Sequence, residues 1–183
     1  MKILGLLSIV LVTTVLSGCS TTNSMPYKAS INNVVSIQQS LKSEGKFVSV
    51  GSITPASGVN ESITCRLMGP VKVSPGKSLS QYVKDAFQEE LFMAQVYSAD
   101  STNIISGTIT DLSFSSMSPA NWSISMAVKS DHSTGYSVSI KYPFSTSFDA
   151  YSACKNVANA FGPAVQELLK QVVTHPQFPS LVK

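Results

Sequence analysis

The stretch WSISMAVKSDHSTGYSVSIKYPF, residues 122–144, decides the fold. Trp122, Ile124, Met126 and Val128 alternate with Ser123, Ser125, Ala127 and Lys129. After a turn at 130–135, Tyr136, Val138, Ile140, Tyr142 and Phe144 alternate with Ser137, Ser139, Lys141, Pro143 and Ser145. Successive side chains of a strand point to opposite faces, so this period of two predicts an antiparallel hairpin with one face buried and one wet. Pro143 has no N–H to give a ladder and marks an edge or a strand end.

Working outward, Ile105, Gly107 and Ile109 share one parity while Leu112 and Phe114 share the other. One strand can hold both if a bulge near Thr110-Asp111 shifts the phase. Upstream, Leu79, Val83, Ala86, Phe87, Glu90, Leu91 and Ala94 recur at helical spacing, after Ser78-x-x-Gln81 as a capping box. A helix over 79–97 is expected. Ala153, Val157, Ala160, Phe161, Ala164, Leu168 and Val172 form the stripe of a second long helix over 152–173, which Gly162-Pro163 should kink. Ile31, Val34, Val35, Gln38 and Leu41 predict a short helix over 31–43. Residues 47–53 and the alternating Ile63, Cys65 and Leu67 each read as a strand. The expected fold is a two-layer α+β domain over 31–175: an antiparallel sheet of about five strands with two long helices packed on one face. Residues 176–183, with Pro176 and Pro179, read as a tail.

Charged residues make up 13% of the 183 and the net charge is +3, with the basic residues scattered singly. No Lys/Arg cluster marks a nucleic-acid footprint. Of three cysteines, Cys65 and Cys154 form a pair for which a disulfide is expected, two buried free thiols being the alternative. Such a bridge closes a loop of about 90 residues, contributing up to about 4.5 kcal/mol through chain entropy. With no Cys-x-x-Cys and only two histidines, His132 and His175, neither a metal nor another cofactor is expected.

The amino terminus carries a separate message. Met1-Lys2 supplies one positive charge, an apolar run follows from Ile3 to Val15, and it ends in Leu16-Ser17-Gly18-Cys19. The run is shorter than the ~20 residues of a membrane span. The four residues resemble the bacterial lipobox. That resemblance implies a signal peptide over 1–18, cleavage before Cys19, a diacylglycerol on its thiol and an acyl chain on its freed amine. Two or three chains are needed for a stable anchor, since each buried CH₂ contributes about 0.8 kcal/mol. Ser20, where an Asp typically favours inner-membrane retention, implies the outer membrane of a Gram-negative cell, on its periplasmic face. Residues 19–30 would then be the lipidated cysteine and a flexible tether.

Few residues suggest chemistry. Ser130-Asp131-His132 has the residue types of a hydrolase triad, but triad members converge from separate elements and not from one turn. Glu89 and Glu90 point about 100° apart on a helix and cannot share a proton; Glu90, at the stripe's edge, is expected to turn outward or to bond a nearby backbone group. Arg66, the only arginine, is expected on a strand facing away from the core, where it would bind a carboxylate or phosphate or lie in a surface salt bridge. Trp122, the only tryptophan, shares parity with the core residues and is expected to pack there.

Three segments, Tyr82 to Leu91, Ile105 to Ile109 and Ala158 to Gln166, are similar to uncharacterised small α+β lipoproteins of Gram-negative envelopes. The order helix, strand trio, closing helix also resembles auxiliary lipoproteins of lipid-transport ABC systems. The resemblance covers about 100 residues and is organisational; no functional residue transfers from it. The leading expectation is a non-enzymatic envelope protein, held to the membrane by acyl chains on Cys19, that docks a protein partner through its Ser/Thr-rich wet sheet face or a sheet edge. The alternative is a module binding lipid or a small molecule between sheet and helices.

Overall fold

A computed structural model describes residues 26–183. The elements run α1 (Ile31–Ser40), β1 (Ser49–Pro55), α2 (Leu79–Met93), β2 (Ile104–Ser115), β3 (Asn121–Ser130), β4 (Ser133–Pro143) and α3 (Ala150–Val173), with short 3₁₀ turns at Lys42–Glu44 and Phe178–Leu181. The α+β class holds, but the sheet has four strands among the described residues, in the order β1-β2-β3-β4, and it is mixed. β1 pairs parallel to β2, while β2, β3 and β4 form an antiparallel meander. A parallel neighbour needs a crossover, and α2 supplies it.

Register explains why the hairpin dominates the core. Phe114, Trp122 and Tyr142 stand in one row across the sheet, Leu112, Ile124 and Ile140 in the next, then Ile109, Met126 and Val138, then Gly107, Val128 and Tyr136. The phase shift falls between Ile109 and Asp111, as the parity of β2 requires. Gly107 leaves room for its row: a Cβ there would lie 3.1 Å from Met126 Sδ and 3.3 Å from Ile53 Cγ1. The helices cover this apolar face, with α2 over β1, α3 over β3 and β4, and α1 against both helices. Trp122 is fully buried, and its indole donates to Val157 O of α3 at 2.9 Å. Its ring continues a chain of aromatic contacts: Phe114 to Trp122 and Trp122 to Phe161 at 4.9 Å each, then Phe161 to Tyr82 at 5.5 Å and Tyr82 to Tyr27 at 6.1 Å. That chain crosses sheet, α3 and α2 and ends on the segment that precedes α1.

Local signals account for the helix ends. Ser78 accepts Gln81 N, so the cap is present. The Gln81 side chain turns to Asp85 at 2.7 Å and leaves the box half-formed. α2 stops short of the expected 97 because Gln95 adopts φ 61°, and Val96 N reaches back to Leu91 O to close the end. This left-handed position usually belongs to glycine, so the stop carries no glycine signal. Asp149 caps α3 by accepting Ser152 N at 2.8 Å, and the helix continues through Pro163 to Val173.

Three expectations are corrected. The strand expected at Ile63, Cys65 and Leu67 is an irregular hairpin with one bridge, Thr64 to Pro70, because Arg66 and Leu67 take φ of 41° and 63°. The tail is part of the core: Phe178 and Leu181 are fully buried, and Lys183 N donates to Asn103 Oδ1. Tyr27 to Ser30, read as the end of a tether, pack against the domain as a strap. The expected signal peptide, Cys19 and the rest of the expected tether lie outside the described residues.

Candidate functional site

The strap lies along α2. Ser30 N donates to Glu90 Oε1 at 2.9 Å, Ala29 N to Glu89 Oε1 at 3.3 Å, and the Tyr27 hydroxyl to Glu90 Oε1 at 2.6 Å. From α3, Gln166 Nε2 donates to Lys28 O at 2.6 Å. Asn33, on α1, completes the knot by donating from Nδ2 to Glu90 Oε1 and to Gln166 O. Glu90 is therefore turned inward, fully buried, against the expectation that it would face out or bond only a nearby backbone group. Its helical position was right; what lay hidden was the arrival of Tyr27, Ser30 and Asn33 from some 60 residues away.

Burial pushes the Glu90 carboxyl above the usual carboxylate range, against the lowering effect of its bonds from Tyr27, Ser30 and Asn33. Tyr27 is held well above the usual phenol range, first by burial and then by its bond to Glu90. All three donors converge on Oε1, while Glu90 Oε2 and Asn33 Oδ1 are buried without a hydrogen-bond partner among the described residues. Beside this knot is a depression lined by Tyr27, Val73, Tyr82, Ala158, Gly162 and Gln166, among others.

The second polar knot is Arg66. It stands in a turn and not on a strand, and its guanidinium is directed into the chain. Nε donates to Ser116 Oγ at 3.0 Å; Nη1 donates to Ser147 O at 3.2 Å and Phe148 O at 3.0 Å; Nη2 donates to Ser116 O and, at 3.5 Å, to Thr146 Oγ1. All five donors of the fork are thus engaged. The neighbouring Cys65 is bonded to Cys154 in α3, as expected, with 5.8 Å between their Cα atoms. Arg66 ties three loops together, and the disulfide ties that knot to a helix.

The remaining candidates are dispersed. Ser130, Asp131 and His132 form the tip of the β3–β4 turn, where Ser130 Oγ accepts His132 N. His175 is far along the chain, its ring stacked on Tyr136 at 3.9 Å. Asp111 is exposed at the bulge. No group of three His, Cys, Asp or Glu residues that could hold a metal occurs among the described residues. On the wet face Ser125 and Ser139 hydroxyls meet at 2.8 Å, beside Ser123 and Ser137. No described helix is long and apolar enough to cross a membrane.

Fold and site together define an α+β chain of one sheet backed by helices, with an amino-terminal strap built into the domain. No protein-family model and no curated protein matches it. Among solved structures, it is similar to a Xanthomonas campestris protein described under the family model DUF330, with a TM-score of 0.42 and 12% identity over 70% of this chain and 84% of that one.

Proposed function

We propose that this chain is a lipid-anchored accessory protein of a Gram-negative envelope, tethered through Cys19 on the periplasmic face of the outer membrane, with a docking and not a catalytic role. The observation that carries the reading is the strap. A passive tether would leave the domain free to rotate, whereas Tyr27 to Ser30 are bonded to Glu90, Glu89 and Gln166, so the anchored end has a defined point of departure. The uncovered sheet face offers the partner a surface of short hydroxyl side chains, Ser123, Ser125, Ser137 and Ser139, which desolvate at less cost than Lys or Glu. The space between sheet and helices, which the lipid- or small-molecule-binding alternative would use, is filled by Trp122, Met126, Phe161 and Leu168, each fully buried.

Photo-crosslinking in intact cells from Ser125 and Ser139 should trap one reproducible envelope protein, and Cys19→Ser should abolish fatty-acid incorporation and release the domain from the membrane fraction. Acylation and membrane fractionation unchanged by Cys19→Ser would reject the anchor. A clean anchor with no crosslinked partner would reject the docking role.

A further inference from the structure

The Arg66 knot displays what cores usually hide. Leu67 is 99% exposed, Phe148 104%, Met117 70% and Tyr151 65%. These four come from different loops and the first turn of α3, yet Arg66 gathers them: it precedes Leu67, bonds Ser116 next to Met117, and bonds the carbonyl of Phe148. Patches of exposed apolar side chains on a small domain mark surfaces that meet something.

We propose that this pole is a membrane-contacting tip, with Leu67, Met117 and Phe148 seated in the headgroup–acyl boundary of the bilayer that holds the anchor and Tyr151 at its polar edge. The proposal rests on acylation at Cys19. Three features of the pole select a lipid surface as its occupant. First, the strap leads there. From Ser30 at Glu90 it runs back along α2, Tyr27 packs on Tyr82, and Pro26 borders a depression with Ser74 and Lys77. The start of α3 adjoins the knot through Cys65 bonded to Cys154, and the start of α2 holds the base of the hairpin that carries Arg66, through Glu61 bonded to Ser80 N. From Pro26 to Cys19 the chain reaches at most ~25 Å, so the anchor holds this pole near the bilayer.

Second, the tip satisfies several of its own backbone groups, as a lipid environment favours. Backbone groups entering it must be satisfied from within the protein. Ser116 O, Ser147 O and Phe148 O accept from Arg66, and Met117 N and O both bond Ser115 Oγ. Third, the apolar side chains project from turns, and the acidic side chain between Phe148 and Tyr151, Asp149, is turned to Ser152 N as the cap of α3.

The test uses the full acylated chain carrying Phe148→Trp in vesicles of phosphatidylethanolamine and phosphatidylglycerol, with and without brominated acyl chains. Wild-type protein supplies the background, since Trp122 is fully buried. We expect the added tryptophan to emit to the blue of its position in detergent-free water and to lose about half its intensity with brominated lipid. The Leu67→Asp/Met117→Asp background should abolish the quenching; both positions are exposed, so the fold survives. An added tryptophan unaffected by bromine, on protein whose mass shows acylated Cys19, overturns the tip and leaves the anchor standing. Quenching on protein without lipid mass supports the tip and overturns the anchor. Shielding found only in native membranes and never in pure lipid assigns the pole to a protein partner and overturns the proposal.

Discussion

Arg66 and Glu90 are both charged residues drawn into the fold, and they are treated in opposite ways. Arg66 divides five donors among five acceptors, three of them backbone carbonyls, and stays partly exposed. Glu90 is fully buried, takes three donors on one oxygen and leaves the other unpartnered among the described residues. The difference separates a clamp from a latch. A group whose every bond is made gains nothing from letting go. A buried carboxyl with an idle oxygen, held above the usual carboxylate range by burial, has a grip that depends on its proton, and what it holds is the amino-terminal strap.

The largest expected break is at the clamp's covalent side. Replacing both Cys65 and Cys154 by serine should lower stability by about 4 kcal/mol, since the bridge spans 89 residues. Urea unfolding of oxidised and reduced wild-type protein measures it without a mutation. A loss below about 1 kcal/mol would mean that the reduced chain keeps the loop in place unaided.

Arg66→Ala comes next. It strands Ser147 O and Phe148 O at once and leaves Ser116 O to Thr146 Oγ1 alone, and we expect a loss of about 3 kcal/mol, less where water reaches the freed carbonyls. Arg66→Lys should recover less than half, because an ammonium cannot reproduce a planar fork that reaches two loops from a third. Full rescue by lysine would reduce the clamp to a charge effect. Hydrogen exchange at Met117 and Phe148 should rise in both variants, while amides of β3 stay protected.

The same contrast shows what was legible beforehand. The alternation around Trp122 yielded β3, β4, their turn and the buried face, and the broken parity at Thr110-Asp111 located the bulge, because these are local periodicities written by a common core. The even pair of cysteines gave the disulfide. The knots were hidden for one shared reason. Arg66 bonds groups 50 and about 80 residues away, and Glu90 bonds groups about 60 away, so no window of sequence contains either set of partners. Leu67 shows how a period can mislead: it keeps step with Ile63 and Cys65 yet is almost wholly exposed at φ 63°. The tail failed differently. Phe178 and Leu181 sit three apart, the spacing of a 3₁₀ turn, and two prolines drew attention away from them.

The smallest and most telling change is Glu90→Gln. Glu90→Ala should cost about 2 to 3 kcal/mol, since Tyr27, Ser30 and Asn33 would each lose an acceptor. Glutamine keeps an acceptor for those three donors, so near-neutral stability should change by less than about 1 kcal/mol. The information lies in the pH dependence. A carboxyl held above its unfolded range by burial retains its proton more tightly in the folded state. Its stabilising contribution is complete below the unfolded carboxylate range and is lost as pH rises through the raised folded value. Wild-type stability should therefore fall over that window by more than the Gln variant's, and exchange at Ala29 and Ser30 should quicken in step. Parallel stability curves for the two proteins would show that Glu90 enters the fold already ionised, making its knot a second clamp and removing the contrast with Arg66.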